Sequence, residues 1–349
     1  MQVDPQMIKE AVCDVAGQLG FSDCRVAVAE PCLYGEEFLS WLGAGMNAGM
    51  EWLARTPQRR LDPRMVLEGC KSVICLSYDY GSLGGRSDED GQICTYAHGK
   101  DYHEIIEEKL ADVAELLELY GGCQRCYVDA GPVLERSVAQ RCGLGWRGKS
   151  GMIVRKQGGS RFFIACVLTT LKLPADAPAK NYCGQCRKCV EVCPTNAILS
   201  TGLVDSRRCL SYWTIEHKGS IPVEMRPLIG NRIYGCDDCV GVCPWNKGGM
   251  VCKELRFSMS NKLKMMSLYE LLALDDSGFA TLFRATPIKR IKREGLFRNI
   301  CVVLGNIGTE KDIKILKNLR INSQMVAEHA YWAINQIETR CFGERDLGQ

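Results

Sequence analysis

The chain is 349 residues long, 46% apolar and 24% charged, with a formal net charge of +3. Such a make-up excludes a disordered or fibrous chain and leaves room for two or three domains, each with its own core. There is no run of about 18 apolar residues, so no membrane-spanning helix is expected. The first residues lack a basic patch followed by an apolar stretch, so no secretion signal is expected either. The 21 cysteines would suit a disulfide framework only in a small secreted domain; a reducing cytoplasm is the expected compartment.

Apolar spacing at Ile8, Val12, Val15 and Leu19 predicts a first helix over about 5–19, and Arg25–Ala29 reads as a first strand. A second helix falls around Phe38–Leu42, followed by a polar loop through Arg59, Arg60 and Asp62-Pro63. Ser72–Ser77 is an unbroken apolar run of strand length, the pattern of a sheet covered on both faces. A glycine-rich loop over 81–91 leads to an amphipathic helix from His103 to Tyr120. The strand Cys126–Asp129 follows, and Gly131-Pro132 opens a helix from Val133 to Cys142. Met152–Val154 and Phe162–Leu168 read as a hairpin around Gly158-Gly159. Alternating strands and helices predict an α/β domain over 1–173. Leu173–Lys180 reads as a linker opening a ferredoxin-like module over 174–255. Residues 256–349 read as a helical domain of HEAT-type pairs, with Thr286 capping a helix whose first position is Pro287.

Two cysteine runs carry the strongest signal. Cys183, Cys186, Cys189 and Cys193-Pro194 follow C-x2-C-x2-C-x3-C-P, and Cys236, Cys239 and Cys243-Pro244 repeat it without the first cysteine. In the bacterial ferredoxin pattern three cysteines of a run hold one [4Fe–4S] cluster and the fourth serves the other. Cys183, Cys186, Cys189 and Cys243 are therefore the expected ligands of one cluster. Cys193, Cys236 and Cys239 supply a second, completed by Cys209, with Cys252 the weaker candidate. Paired C-x2-C units also build zinc sites, but a third cysteine at the same spacing and a Cys-Pro turn suit a cubane.

Elsewhere the signals are softer. Asp129 ends a strand ahead of Gly-Pro, where an open α/β sheet places ligands; in an apolar pocket its raised pKa would let it deliver a proton, the alternative being a helix cap. Gly143–Ser150 matches a phosphate loop formally, but it follows a helix and precedes a strand, the wrong context. Cys123 and Cys126 have redox spacing and read as two buried thiols. The four histidines are too dispersed for a metal triad. Residues 281–320 carry ten Lys/Arg against three Asp/Glu. There Lys289, Arg290, Lys292, Arg293 and Arg298 form a candidate polyanion site for RNA, with Lys289, Lys292 and Arg293 on one helix face.

Taken together, Gly49–Arg55, Tyr127–Arg136, Gly143–Lys149, the first cysteine run, Arg208–Glu216, Tyr234–Cys239, Val242–Asn246 and Leu296–Asn299 resemble the epoxyqueuosine reductases of tRNA modification over nearly the whole chain. The resemblance implies a base-off cobalamin in the N-terminal domain, two [4Fe–4S] clusters and helices that grip the tRNA anticodon stem-loop, where Asn299 joins the basic residues. It implies Asp129 as proton donor, and Arg55, His103, Gly148, Ser150, Ile153 and Ser211 as cobalamin contacts. A monomer served by an external low-potential flavodoxin- or ferredoxin-type donor is expected. A corrinoid reductive dehalogenase and a non-catalytic electron carrier are the alternatives.

Overall fold

The computed structural model describes residues 3–81, 91–200, 202–248, 252–319 and 322–343. Most of the expected glycine-rich loop at 81–91 lies outside them. The chain divides into two compact units: residues 1–82, 101–207 and 238–256 form one, and residues 83–100, 208–237 and 257–349 the other. By contact, residues 208–237, between the cysteine runs, group with the C-terminal helices and not with the runs themselves.

The first unit is built on a four-stranded sheet in the order Asp23–Val28, Ser72–Asp79, Phe162–Thr169, Gln124–Val128. Every pairing is antiparallel: Val28 faces Ser72, Asp79 faces Phe162, and Val128 faces Ala165. Apolar runs such as Val73–Leu76, buried throughout, record that both sheet faces are covered but not which way neighbouring strands run. The sheet is therefore antiparallel where an open α/β sheet was expected. Val73, Cys75, Cys166 and Leu168 meet Ala139 of the helix Glu135–Arg141 and its flanking Val133 and Cys142 in one core cluster. The long helix Tyr102–Leu119 packs against Gln124–Val128 and against the first helix, Pro5–Gln18.

Two local expectations fail. Met152–Val154 does not pair with Phe162–Leu168; Ile153–Val154 pairs with Trp146–Arg147, leaving only the bridge Arg155–Gly159 at the proposed hairpin. The stretch read as a linker is strapped down. Asp176 pairs with Lys9 at 2.8 Å and accepts the Val26 amide at 2.8 Å, while Leu173 is buried.

In the second unit the helix Lys292–Ile307 packs along Gln324–Phe342, which also contacts Glu310–Lys317. Gly305 permits the closest approach: a Cβ there would sit 2.4 Å from the Trp332 ring. The core joins Ile229, Ile233 and Tyr234 to Phe283, Ile288, Phe297, Ile300 and Ala333. Among the described residues no helix is long and apolar enough to cross a membrane.

Candidate redox site and nucleic-acid interface

The first cysteine run leaves the body of the first unit as an exposed loop. The Cys186 amide donates to Cys183 O, and the short helix Lys188–Glu191 carries Cys189. Lys149 clamps this loop, its ammonium donating to Gly184 O at 2.8 Å and Cys186 O at 2.9 Å. Cys243 arrives after the short helix Asp238–Gly241, fixed by Asn246 three residues later. The Asn246 side chain accepts the Ser160 amide at 2.7 Å and donates to Val240 O at 2.6 Å. Gly159 makes room for it, since a Cβ there would overlap Asn246 Oδ1. Burial, then the charges of Cys183 and Cys243, push the Cys189 thiol up, and Cys243 in turn feels Cys183 and Cys186; among the described residues no three His, Cys, Asp or Glu side chains are gathered closely enough to hold a metal ion. Trp146, Tyr182 and Trp245 stack edge-on beside Cys183.

Of the remaining ligand candidates, Cys193 and Cys239 belong to the first unit and Cys209 and Cys236 to the second. Burial alone would raise the Cys193 pKa, but hydrogen bonds from Thr195 and from the Ala197 amide at 3.3 Å lower it. Cys252 is buried, and its thiol donates to Asp79 O at 3.1 Å.

Asp129 follows the strand Gln124–Val128 with a left-handed φ of +57°, a conformation costly for a non-glycine residue and concentrated at functional sites. Its carboxylate caps no helix; it accepts the Tyr102 hydroxyl at 2.6 Å. Tyr102 is itself fixed by stacking on Phe163 at 4.1 Å. Gly131 is obligatory, because a Cβ there would lie 2.3 Å from the Tyr127 ring. Asp129 is exposed and not enclosed in an apolar pocket. The buried carboxyl is Glu135, one residue type the sequence reading passed over. Its Oε1 is sealed from solvent without a partner among the described residues, although the residue as a whole is half-buried. Burial, then repulsion from Asp129, raises its pKa to about 8. Arg60 lies in the field of both carboxylates; it donates to Gly131 O at 3.1 Å and covers the Trp52 ring, while its Nε is buried and unpartnered.

The expected cobalamin contacts scatter in kind. Arg55 is exposed, Ser150 and Ser211 are half-buried, and the Gly148 amide is already spent on Met152 O at 2.8 Å. Ile153 is a correction: its side chain is 2% exposed inside the sheet core and has no surface to offer a ligand. His103 donates or accepts at Asp101 through Nδ1 at 2.7 Å. Cys123 is exposed and Cys126 half-buried, so the reading of two buried thiols holds for neither fully.

The basic run is also revised. Pro287–Ile291 is a single tight turn, and Lys292, at φ +57°, starts a new helix, so no common helix face carries the cations. Lys289, Arg290 and Lys292 are exposed; Arg293 is half-buried and pairs with Asp276 at 2.7 Å. Arg298 and Asn299 are corrected outright, being 1% and 0% exposed. The Arg298 guanidinium donates to Trp213 O, His217 O and Gly219 O at 2.7–2.8 Å, and Asn299 donates to Thr214 O and Ile233 O. They hold a turn whose Lys218, unmarked in the sequence, donates to Arg290 O at 3.2 Å and so joins the exposed cations.

Two cysteine runs at ferredoxin spacing, aromatic rings beside Cys183, and a carboxylate held at positive φ in the same unit fit an iron–sulfur oxidoreductase. Residues 182–246 match the family described as 4Fe-4S double cluster binding domain, and residues 60–130 match epoxyqueuosine reductase QueG, DUF1730. The epoxyqueuosine reductase of Xanthomonas campestris pv. campestris is 37% identical over 348 residues, covering 95% of this chain and 97% of its own. That of Escherichia coli K12 is 37% identical over 335 residues, covering 93% and 86%. A solved epoxyqueuosine reductase with an epoxyqueuosine-modified tRNA-Tyr stem loop superposes with a TM-score of 0.90 at 27% identity, over 96% of this chain and 91% of that one. The Bacillus subtilis enzyme, with its catalytic loop swung out of the active site, gives 0.89 at 27% identity over the same shares. The chain belongs to the epoxyqueuosine reductase family, and is an oxidoreductase of tRNA modification.

Proposed function

We propose that the chain reduces the epoxide of epoxyqueuosine, at the wobble position of tRNA, to the alkene of queuosine, using a base-off cobalamin and two [4Fe–4S] clusters. The observation that carries this reading is the presence, within one unit, of Cys183, Cys186, Cys189 and Cys243 at ferredoxin spacing and of Asp129 held at positive φ against Tyr102. Cys183, Cys186, Cys189 and Cys243 fit one cubane. Cys193, Cys209, Cys236 and Cys239 are the ligands of the other, Cys252 being committed to Asp79. The exposed Asp129 and the orphaned polar atoms of Arg60 and Glu135 fit a large polar cofactor. Histidine is not needed as its lower ligand, and all four histidines already use a ring nitrogen within the chain.

When bound, the clusters deliver electrons singly at low potential, and cobalamin supplies reactivity that side chains lack. Epoxide to alkene consumes two electrons and two protons and releases one water. Asp129 protonates the departing oxygen, since an alkoxide leaves poorly. Tyr102 holds that carboxyl in place by its hydroxyl. Glu135, protonated at neutral pH, keeps a second negative charge away from Asp129 and stores a second proton. In the other unit, Lys218, Lys289, Arg290 and Lys292 neutralise tRNA phosphates, and the modified base enters unstacked from the anticodon loop. The helical packing of Lys292–Ile307 with Gln324–Phe342 suits the HEAT-like reading. An external flavodoxin- or ferredoxin-type donor supplies the electrons, and the chain acts as a monomer in the cytoplasm. The test is anaerobic incubation of the cofactor-loaded protein with an epoxyqueuosine-bearing stem-loop; failure to form queuosine with all cofactors bound refutes the proposal.

A further inference from the structure

We infer that the indole N–H of Trp146 raises the reduction potential of the cluster carried by Cys183, Cys186, Cys189 and Cys243, an inference resting on the cluster reading above. Trp146 is 2% exposed, and its Nε1 lies 3.4 Å from Cys183 Sγ. A buried indole N–H requires an acceptor. A neutral thiol is a weak one, whereas a thiolate makes a charge-assisted bond, so the contact is built for an iron-bound sulfur.

The backbone fixes the donor. Trp146 and Arg147 pair with Val154 and Ile153. A Cβ at Gly145 would lie 2.5 Å from Val154 O, so only glycine lets the strand approach closely enough to aim the ring. Gly148 lies in the same close packing, a Cβ there meeting Val154 Cγ2 at 3.0 Å with Cys183 Sγ at an ordinary 3.7 Å. Tyr182 and Trp245 meet the indole at 67° and 78° with centroids 5.2 and 5.1 Å away, blocking its rotation.

Reduction passes one electron from an external donor to the oxidised cluster and places extra negative charge on its sulfurs, with no bond made or broken in the protein. The N–H···S bond then strengthens, favouring the reduced form, as hydrogen bonds to cluster sulfurs do. Cys193, assigned to the other cluster, takes its bonds from Thr195 and the Ala197 amide instead. Trp146 therefore acts on one cluster alone, as a tuning residue and not a catalytic one.

Two readings test this on the anaerobically reconstituted full chain. In a potentiometric titration followed by electron paramagnetic resonance, Trp146→Phe keeps the ring stack and its iron but lowers one midpoint. The expected change is about tenfold in the reduction equilibrium, about 59 mV for one electron. In wild-type protein carrying nitrogen-15 indole, pulsed resonance shows a nitrogen coupling to one reduced cluster, lost in the variant. Full iron with both midpoints unchanged overturns the inference, as does the absence of a nitrogen coupling in the wild type, which is decisive even if the variant fails to assemble. Wild-type protein that binds no iron sinks the cluster reading itself.

Discussion

Replacing Glu135 by glutamine removes a carboxyl whose Oε1 is sealed from water beside the Asp129 carboxylate. Its folded pKa is raised from 4.5 to about 8, first by burial and then by Asp129. Below the unfolded value both states are protonated and the group contributes nothing. Between there and about 8 the unfolded chain ionises while the native one keeps its proton, so native stability falls as pH rises. At about 1.36 kcal/mol per unit the loss approaches about 5 kcal/mol by pH 8, an upper bound in which the opposing pull of Arg60 is already included. Glutamine keeps the shape and cannot ionise. Urea midpoints of the two proteins, measured anaerobically from pH 5 to 8.5, should coincide at the acid end and diverge in favour of Glu135→Gln toward the alkaline end. A carboxylic-acid infrared band bleaching near pH 8 in wild type only is the direct signature. Parallel midpoints and no such band would show that Glu135 is ionised and that burial does not hold its proton.

Asp129→Asn should retain iron and cobalamin while alkene formation falls by about 10²–10⁴, the usual worth of a positioned acid; turnover at the wild-type rate rejects its role. Cys209→Ser should remove one cluster's resonance signal and Cys252→Ser neither, because the Cys252 thiol is spent on Asp79 O; the reverse pattern would exchange the two cysteines. Lys292→Glu should weaken stem-loop binding and flatten its salt dependence without changing stability, as expected for a phosphate contact. Arg298→Ala should instead cost on the order of 2–4 kcal/mol of stability, since it strips a buried donor from three carbonyls; an unaltered melt would return Arg298 to the RNA surface.

The cysteine runs were legible because cysteines three and four residues apart, ending in Cys-Pro, form the ferredoxin pattern in the sequence itself. Asp129 was legible as a position, at a strand end before Gly131, but not as an environment, because exposure depends on what the antiparallel sheet leaves open. Strand direction itself leaves no trace in runs such as Ser72–Ser77, which are apolar whether a sheet is parallel or antiparallel once both faces are covered. Charge counting misled at Arg298, where a cation inside a basic run is consumed by backbone carbonyls of residues 213–219. Glu135 was hidden for the opposite reason, since an acid in the first turn of a helix is ordinary. Its apolar flank, Pro132-Val133-Leu134, was the available signal.

The central claim, that cluster thiolates and the Asp129 carboxyl serve one epoxide reduction, is tested most directly by a single turnover. Chemically reduced, cobalamin-loaded protein is mixed with a stem-loop bearing epoxyqueuosine, and the nucleoside is weighed by mass spectrometry. Loss of one oxygen, dependent on both iron and cobalamin, is the predicted result. An unchanged nucleoside with both metals bound, or zinc found in the place of iron, would contradict it.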